Sequence, residues 1–236
     1  MAAGTGHGGT GPAAGARVKG PPVRVWDLPV RLFHWLLVLL IAAAWWTGEN
    51  RAMDWHMRCG YAVLTLVLFR LIWGIVGSET ARFTQFVRGP AAVWHHLRDL
   101  ATPGRMAMHK GHNALGALAV LALLTVVAVQ AVTGLFTSDG ISTEGPLAAS
   151  VSSGTGKLLR SIHFTNFNIL LGLVGLHVAA ILAYALLKRL DLVRPMVTGR
   201  AALAPGEVPP RMVSLRRAFV VAGISIASIW ALVSFA

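Results

Sequence analysis

Four histidines lie in or at the ends of long apolar segments, where an ionisable side chain suggests a function. They are His34, His56, His163 and His177. His163 and His177 are 14 positions apart, which at 100° per residue places both on one face of a helix, about 21 Å apart along its axis. Each histidine could simply donate a hydrogen bond to a carbonyl of a neighbouring helix. Four such histidines in one chain favour a different role, in which histidines of different helices bind the same ligand.

The segments that carry these histidines are apolar enough to cross a membrane. The chain has 236 residues, 55% hydrophobic and 13% charged, and its mean hydropathy is +0.64. Soluble domains contain about 25% charged residues, so lipid is the expected solvent. A hydrocarbon core needs about 20 apolar residues per helix, and helices are the default because lipid satisfies no backbone group. Five segments qualify: 31–48, 56–76, 112–136, 161–187 and 216–236.

These segments predict an all-α integral membrane bundle over residues 23–236. Residues 1–22 have almost no large apolar side chain, so we expect a disordered cytoplasmic tail. That tail lacks the apolar stretch of a signal peptide, so we expect the first membrane helix to be retained. Residues 90–101 begin with proline and predict an amphipathic helix on the cytoplasmic membrane surface. The Gly- and Ser-rich residues 137–159 predict a loop on the opposite side.

The distribution of positive charge predicts the orientation. Sixteen Lys and Arg residues lie in the N-terminal segment 1–31 and in the connections 77–111 and 188–217, whereas four lie on the other side. The positive-inside rule therefore predicts a cytoplasmic N-terminus and a periplasmic C-terminus. The net charge of +12 is divided among these connections and forms no single basic domain. We therefore predict contact with membrane lipid and no nucleic-acid partner.

This topology predicts which histidines meet. The first helix enters from the cytoplasm with His34 near its start, and His56 begins the second helix at the outer side. The fourth helix runs inward, so His163 is its outer histidine and His177 its inner one. Equal depth pairs His34 with His177 and His56 with His163. The fourth helix must tilt or project into the cytoplasm to form the inner pair.

Two imidazoles facing each other in an apolar bundle suit a flat tetrapyrrole held from both sides. Zinc usually requires four ligands, or three and a water molecule. The chain has a single cysteine, Cys59, and no C-x-x-C-H sequence, so covalent haem attachment is excluded. We therefore expect two non-covalent haems b, each with two axial histidines.

Other residues could help to hold these groups. Gly172 and Gly175 lie between the histidines of the fourth helix and would leave room for a porphyrin, although small residues also pack membrane helices. Arg31 and Arg160 each precede a predicted ligand by three residues and could bind haem propionates. Interfacial snorkelling explains their positions as well.

Several short motifs resemble the bacterial cytochrome b561 and nickel–iron hydrogenase cytochrome b subunit family. The resemblance is nearest to its cytochrome b/b6-domain, thiosulfate-reductase-type branch, and covers about residues 23–235. It implies a four-helix core with two haems b, whose ligands match the four histidines above. The predicted fifth helix is absent from the four-helix members, so their partner contacts are not carried over. The motifs are WDLPVRLFHW (26–35), DWHMRCGY (54–61), FRLIWGIVGS (69–78), GHNALG (111–116), H-x13-H (163–177) and RPMVTG (194–199).

Iron with two axial histidines has no open position for substrate, so one-electron transfer is the expected task. The resemblance implies an electron-transfer subunit, part of a quinone-linked oxidoreductase, in the bacterial inner membrane. Its partners would be the quinone pool and a periplasmic cytochrome c or dehydrogenase subunit. His109, His112 and Asn113, at the cytoplasmic mouth of the third helix, could contact a quinone or a propionate, or could only begin that helix.

Two other functions are compatible with a membrane bundle. A proton or metal-ion transporter could use the same histidines as relay groups, but it would need carboxylates within the membrane. All nine acidic residues lie in connections or at helix ends, which disfavours this function. A membrane-anchor subunit of a larger complex would use the histidines only to join helices.

Overall fold

The computed structural model describes residues 21–87, 89–104, 106, 108–138, 140 and 143–235. The disordered tail predicted for residues 1–22 therefore lies almost entirely outside the described residues. Five helices are long and apolar enough to cross a membrane, so the prediction of an all-α membrane bundle is confirmed. They are α1 (Leu28–Glu49), α2 (Met53–Val76), α5 (Ala114–Gly134), α6 (Ser153–Lys188) and α8 (Leu215–Ser234).

Polar residues at the helix starts explain where three of these helices begin. Asp27 accepts a hydrogen bond from the Val30 amide at the start of α1, and Asn113 accepts one from the Gly116 amide at the start of α5. Each side chain satisfies an amide that has no partner within its helix. Ser152 does the same for α6.

Helix α6 is longer than the sequence predicts. It has 36 residues, which corresponds to about 54 Å and exceeds a hydrocarbon core about 30 Å thick. The helix begins at Ser153, so the prediction of a loop over 137–159 is wrong for its last seven residues. The remaining connection contains a backbone bridge between Ser138 and Glu144 and a 3₁₀ turn, Ala148–Ser150.

The membrane helices pack as two close pairs, α1 with α2 and α5 with α6. Helix α2 joins the pairs because it also packs against α5 and α8, whereas α1 and α6 do not pack closely along their backbones. Val67, Val127 and Leu170 form a buried cluster between α2, α5 and α6. Many apolar side chains instead face outward, as expected of a surface in contact with lipid.

Short elements close one end of the bundle. The predicted amphipathic helix over 90–101 is present as α4 (Pro90–Ala101), which follows the single turn α3 (Phe83–Phe86). The Lys188 ammonium at the end of α6 donates to the Asp99 and Thr102 carbonyls of this segment, and His96 contacts the Tyr184 hydroxyl. These contacts hold α4 against the end of α6.

A two-stranded sheet ties the segment before α1 to the segment before α8. Strand β1 (Val23–Arg24) pairs antiparallel with β2 (Arg200–Ala201), which follows the short helix α7 (Val193–Thr198). Gly199 between α7 and β2 has φ of +78°, a conformation that glycine adopts without strain. The sheet thus lies at the end of the bundle where α1 and α8 both begin.

Candidate functional site

The four histidines singled out by the sequence form two imidazole pairs that bridge different helices. The His34 ring of α1 lies 6.5 Å from the His177 ring of α6, between centroids, with an interplanar angle of 53°. The His56 ring of α2 lies 6.3 Å from the His163 ring of α6, at 75°. These are the neighbours that the topology predicts.

Both centroid distances suit one metal ion between each pair. A metal–imidazole bond is about 2.0 Å long. The ring nitrogen lies about 1.1 Å from its own centroid, so two imidazoles on opposite sides of one ion would have centroids about 6.3 Å apart. Within the described residues, no group of three or more His, Cys, Asp or Glu side chains could hold a metal ion. Each pair can therefore offer two imidazole ligands to one ion.

Backbone carbonyls of neighbouring helices orient the outer pair. The His56 Nδ1 atom lies 2.8 Å from the Ala44 carbonyl oxygen, and the His163 Nδ1 atom lies 3.0 Å from the Gln130 carbonyl oxygen. Each Nδ1–H can donate to its carbonyl, which leaves Nε2 with the lone pair that a metal requires. Histidines that bind metals are usually oriented in this way.

Two glycines make room for the outer imidazoles. A Cβ atom at Gly48 would lie 3.1 Å from the His56 Nδ1 atom, and one at Gly134 would lie 3.1 Å from the His163 Cε1 atom. Both distances are shorter than ordinary van der Waals contact, so a larger residue at either position would displace a ring. These residues were not among the predicted site residues, because their role depends on contacts between helices.

A polar cluster beside His163 was also missed by the sequence analysis. The Gln130 side-chain nitrogen lies 3.1 Å from the His163 Nε2 atom, and the Gln130 side-chain oxygen accepts from Asn166. Asn166 is buried and also donates to the Val126 carbonyl. Polar residues within apolar helices were the available sequence signal. The Gln130 amide would have to turn aside for a metal to bind Nε2.

The inner pair has fewer polar contacts. Neither His34 nor His177 has a hydrogen bond to another described residue, and the His34 Nδ1 atom is buried without a partner. The His34 ring instead meets the Trp35 ring edge-on, with centroids 4.9 Å apart. Its imidazole is therefore held by ring contacts and lacks the carbonyl partner of the outer pair.

Gly172 and Gly175 lie on the side of α6 that faces away from its two histidines. At 100° per residue, Gly172 is about 180° from His163 and about 140° from His177 around the helix, and Gly175 is about 120° and 160° from them. Both glycines are exposed, and an added Cβ atom would have no neighbour within 4 Å. They therefore do not mediate close packing between helices, and the geometry does not support the prediction that they leave room for a porphyrin.

The two predicted propionate ligands have other contacts in the structure. The Arg31 guanidinium packs over Gly199, where an added Cβ would overlap it, and its Nε atom is buried without a partner. Arg160 donates to the Ser138 carbonyl at 3.1 Å and lies over the Phe164 ring. These contacts do not test propionate binding, which stays a prediction for both residues.

His109, His112 and Asn113 do not converge on one point. His109 is exposed and pairs with Glu207 at 2.7 Å, whereas the His112 ring is buried with its centroid 4.6 Å from those of Trp26 and Phe86. Burial, together with the nearby positive charge of Arg70, lowers the pKa of His112, which precedes the membrane-spanning part of α5, to about 3.

Asn113 begins α5 and also donates to the Tyr184 hydroxyl at 3.2 Å. The same hydroxyl lies 2.6 Å from His96, so the three side chains form a polar chain at this end of the bundle. His96 and Tyr184 were not predicted as site residues. The membrane helix α6 and the amphipathic helix α4 bring them together.

Comparison with protein families decides which kind of membrane protein this is. The profile described as prokaryotic cytochrome b561 matches residues 25–199, which include all four paired histidines. The chain belongs to the prokaryotic cytochrome b561 family. Members of this family bind haem b and transfer electrons in membranes, so the predicted family, cofactor class and membrane location are confirmed. Comparisons with curated proteins and with solved structures found no match.

Proposed function

We propose that this chain is a di-haem b cytochrome that carries electrons across a bacterial inner membrane between the quinone pool and a redox partner protein. His34 and His177 would hold the inner haem, and His56 and His163 the outer one. The observation that carries the proposal is the spacing of the two imidazole pairs, 6.5 and 6.3 Å between centroids. A haem iron between two such imidazoles supplies reversible one-electron chemistry.

The residues around the pairs have distinct tasks in this proposal. The carbonyls of Ala44 and Gln130 orient the outer imidazoles, so that each presents Nε2 as its ligand atom. Gly48 and Gly134 give those rings space. Apolar side chains around both pairs exclude water and lower the local dielectric constant, which is one means by which proteins adjust haem potentials.

The two pairs lie at different levels of the bundle. On α6, 14 residues separate His163 from His177, which corresponds to about 21 Å along the helix. Edges of porphyrins bound at these two levels would be closer than that distance. We therefore propose that electrons cross most of the hydrocarbon core by one transfer between the two haems.

The distribution of charge supports an assignment of the two ends of the proposed electron path to the two sides of the membrane. The excess of Lys and Arg in 1–31, 77–111 and 188–217 supports a cytoplasmic N-terminus and a periplasmic C-terminus. We propose that a quinone binds at the cytoplasmic end, where Asn113 joins a polar chain and His109 is exposed. A periplasmic cytochrome c or a dehydrogenase subunit would then meet the opposite end, around the connection before α6.

The decisive experiment is the haem content of the purified chain. We expect two haems b per chain by the pyridine haemochrome assay, with absorption bands that change on reduction and on reoxidation by a soluble quinone. The exposed residue His95 offers a control, because His95→Ala should keep both haems. A colourless protein, or one haem per chain, would contradict the di-haem proposal. Retention of both haems without oxidation by quinone would contradict the proposed quinone end.

A further inference from the structure

A cavity of about 330 Å³ lies where α1 and α8 begin, away from the four paired histidines. Three arginines line it, Arg24, Arg31 and Arg200, together with apolar residues that include Leu28 and Leu215. We propose that this cavity binds the phosphate group of an anionic membrane lipid. The inference rests on the charge and position of these side chains, and its test uses Arg24 and Arg200, for which no haem contact is predicted.

The sheet places two of these arginines directly opposite each other. Arg24 and Arg200 are Cα partners in the antiparallel pair β1–β2, and both are exposed. Like charges in directly opposite positions destabilise a sheet. The repulsion would fall if an anion lay between the two guanidinium groups, and the guanidinium fork matches two oxygens of one phosphate.

None of the three arginines forms an ion pair within the described residues. The ion pairs found there join His109 with Glu207 and Lys110 with Glu79, and involve none of the three arginines. Asp27 is the acidic residue that lines the cavity. One of its oxygens accepts from the Val30 amide and the other from the Trp73 indole, at 2.8 and 3.0 Å.

Arg31 adds a group that lacks a partner. Its Nε atom is buried and has no hydrogen bond within the described part of the chain. A buried donor without a partner costs free energy, which an anion in the cavity would recover if the guanidinium turned its Nε–H towards it. The cavity therefore combines two repelling cations, a third cation and an unsatisfied donor.

The position of the cavity favours a lipid over a free phosphate ion. Helices α1 and α8 both start at its edge, so the arginines lie at the level where a membrane helix enters the headgroup region. Leu28 and Leu215 are 40% and 48% exposed beside them and could contact acyl chains. Basic pockets between membrane helices bind anionic headgroups in this way. Arg24 and Arg200 lie just outside residues 25–199, which match the family.

The test compares two charge-matched double variants. Arg24→Gln with Arg200→Gln removes two cavity cations whose side chains are exposed, so the fold should persist. Arg194→Gln with Arg216→Gln removes the same charge at the same end of the bundle, from exposed residues that do not line the cavity. Wild type and both variants are titrated in detergent with short-chain phosphatidylglycerol, phosphatidylcholine and inorganic phosphate, and binding is followed by the thermal unfolding midpoint and native mass spectrometry.

We expect phosphatidylglycerol to bind and stabilise the wild type and the control variant. The cavity variant should bind it roughly 30-fold more weakly, as expected for two lost contacts with an anionic headgroup. Equal binding by the two variants would overturn the proposed site. Equal stabilisation by phosphatidylcholine would contradict the requirement for an anionic lipid. Equal stabilisation by inorganic phosphate would contradict the proposal that the bound phosphate group belongs to a lipid. Circular dichroism before titration establishes that both variants are folded.

Discussion

The Nδ1 atom of His163 lies 3.0 Å from the carbonyl oxygen of Gln130, on the neighbouring helix. His56 has the same kind of contact with Ala44, whereas His34 and His177 have no hydrogen bond to another described residue. The two imidazole pairs therefore differ in a property that affects a bound metal. An imidazole that donates its Nδ1–H to a carbonyl is a more basic ligand through Nε2.

This asymmetry predicts different potentials for the two proposed haems. A more basic ligand stabilises ferric iron, so the outer haem should have the lower midpoint potential. If each hydrogen bond shifts the ferric–ferrous balance by about 1 kcal/mol, the difference is about 40 mV per bond. Redox titration of wild type and of single-haem variants measures both values. A higher potential for the haem lost in His163→Ala would contradict the prediction.

Histidine substitutions test the pairing itself. We expect His56→Ala and His163→Ala each to reduce the haem content from two to one per chain and to remove the same component of the redox titration. His34→Ala and His177→Ala should both remove the other component. The measurement is the pyridine haemochrome assay with redox titration, and His95→Ala serves as the control. If His56→Ala and His163→Ala removed different components, the pairing would be wrong.

Glycine substitution tests whether the outer imidazole pair needs the space at Gly134. An added Cβ atom there would lie 3.1 Å from the His163 Cε1 atom, so Gly134→Leu should displace this ring and lower the haem content from two to one per chain. Gly223→Leu on α8 is a matched control, because an added Cβ there has no neighbour within 4 Å. We expect full haem content in the control and unchanged helical circular dichroism in both variants. Equal haem content in both variants would show that the outer haem does not need this space.

Asp27 should contribute strongly to stability. It begins α1 through the Val30 amide and accepts the Trp73 indole N–H, and it is buried. Asp27→Ala removes the helix cap and leaves a buried donor without a partner, so we expect a loss of about 2–4 kcal/mol in the free energy of unfolding. Asp27→Asn keeps a side-chain acceptor and should lose less. Reversible unfolding in mixed detergent micelles measures this, and similar losses in both variants would contradict the hydrogen-bond explanation.

Glu79 should make stability depend on pH below about 4.5. The Arg211 amide and the Lys110 ammonium donate to its carboxylate at 2.9 and 2.8 Å, and these contacts lower its pKa below the ordinary value, with the Arg211 hydrogen bond as the largest cause. Because the folded-state pKa is the lower one, the contribution is present above the unfolded pKa. It is lost as the pH falls through the folded pKa.

A pH series of thermal unfolding midpoints checks this prediction. We expect Glu79→Gln to unfold at a lower temperature than wild type near neutral pH, and the difference to shrink as the pH falls from about 5 towards 3. Glu49 at the end of α1 is a suitable control, since no hydrogen bond or ion pair to it is found among the described residues. A difference that is constant with pH would contradict the role of the ionised carboxylate.

The family match covers most of the chain but leaves out α8 and both strands, β1 and β2. This agrees with the sequence analysis, which expected the fifth helix to distinguish the chain from four-helix members. Helix α8 packs against α2 and does not pack closely against α6. Partner contacts of other family members cannot be transferred to this face.

The membrane class, the five spans and the depth of each histidine along its helix could all be predicted from the amino-acid sequence. These properties follow from local hydropathy and from the fixed rise per residue of an α-helix. Depth was sufficient to predict that His34 neighbours His177 and that His56 neighbours His163. The sequence did not predict that α6 starts at Ser153, because the first turns of α6 are polar and their helical conformation depends on capping.

The groups that surround the paired histidines depend on how the helices pack, and the sequence does not predict them. The contacts of His163 with Gln130 and Gly134 depend on the rotation of α5 and α6 about their axes and on how closely they approach. The opposition of Arg24 and Arg200 depends on the register of two strands that are distant in the chain. Such contacts join residues of different elements, and no local periodicity encodes them.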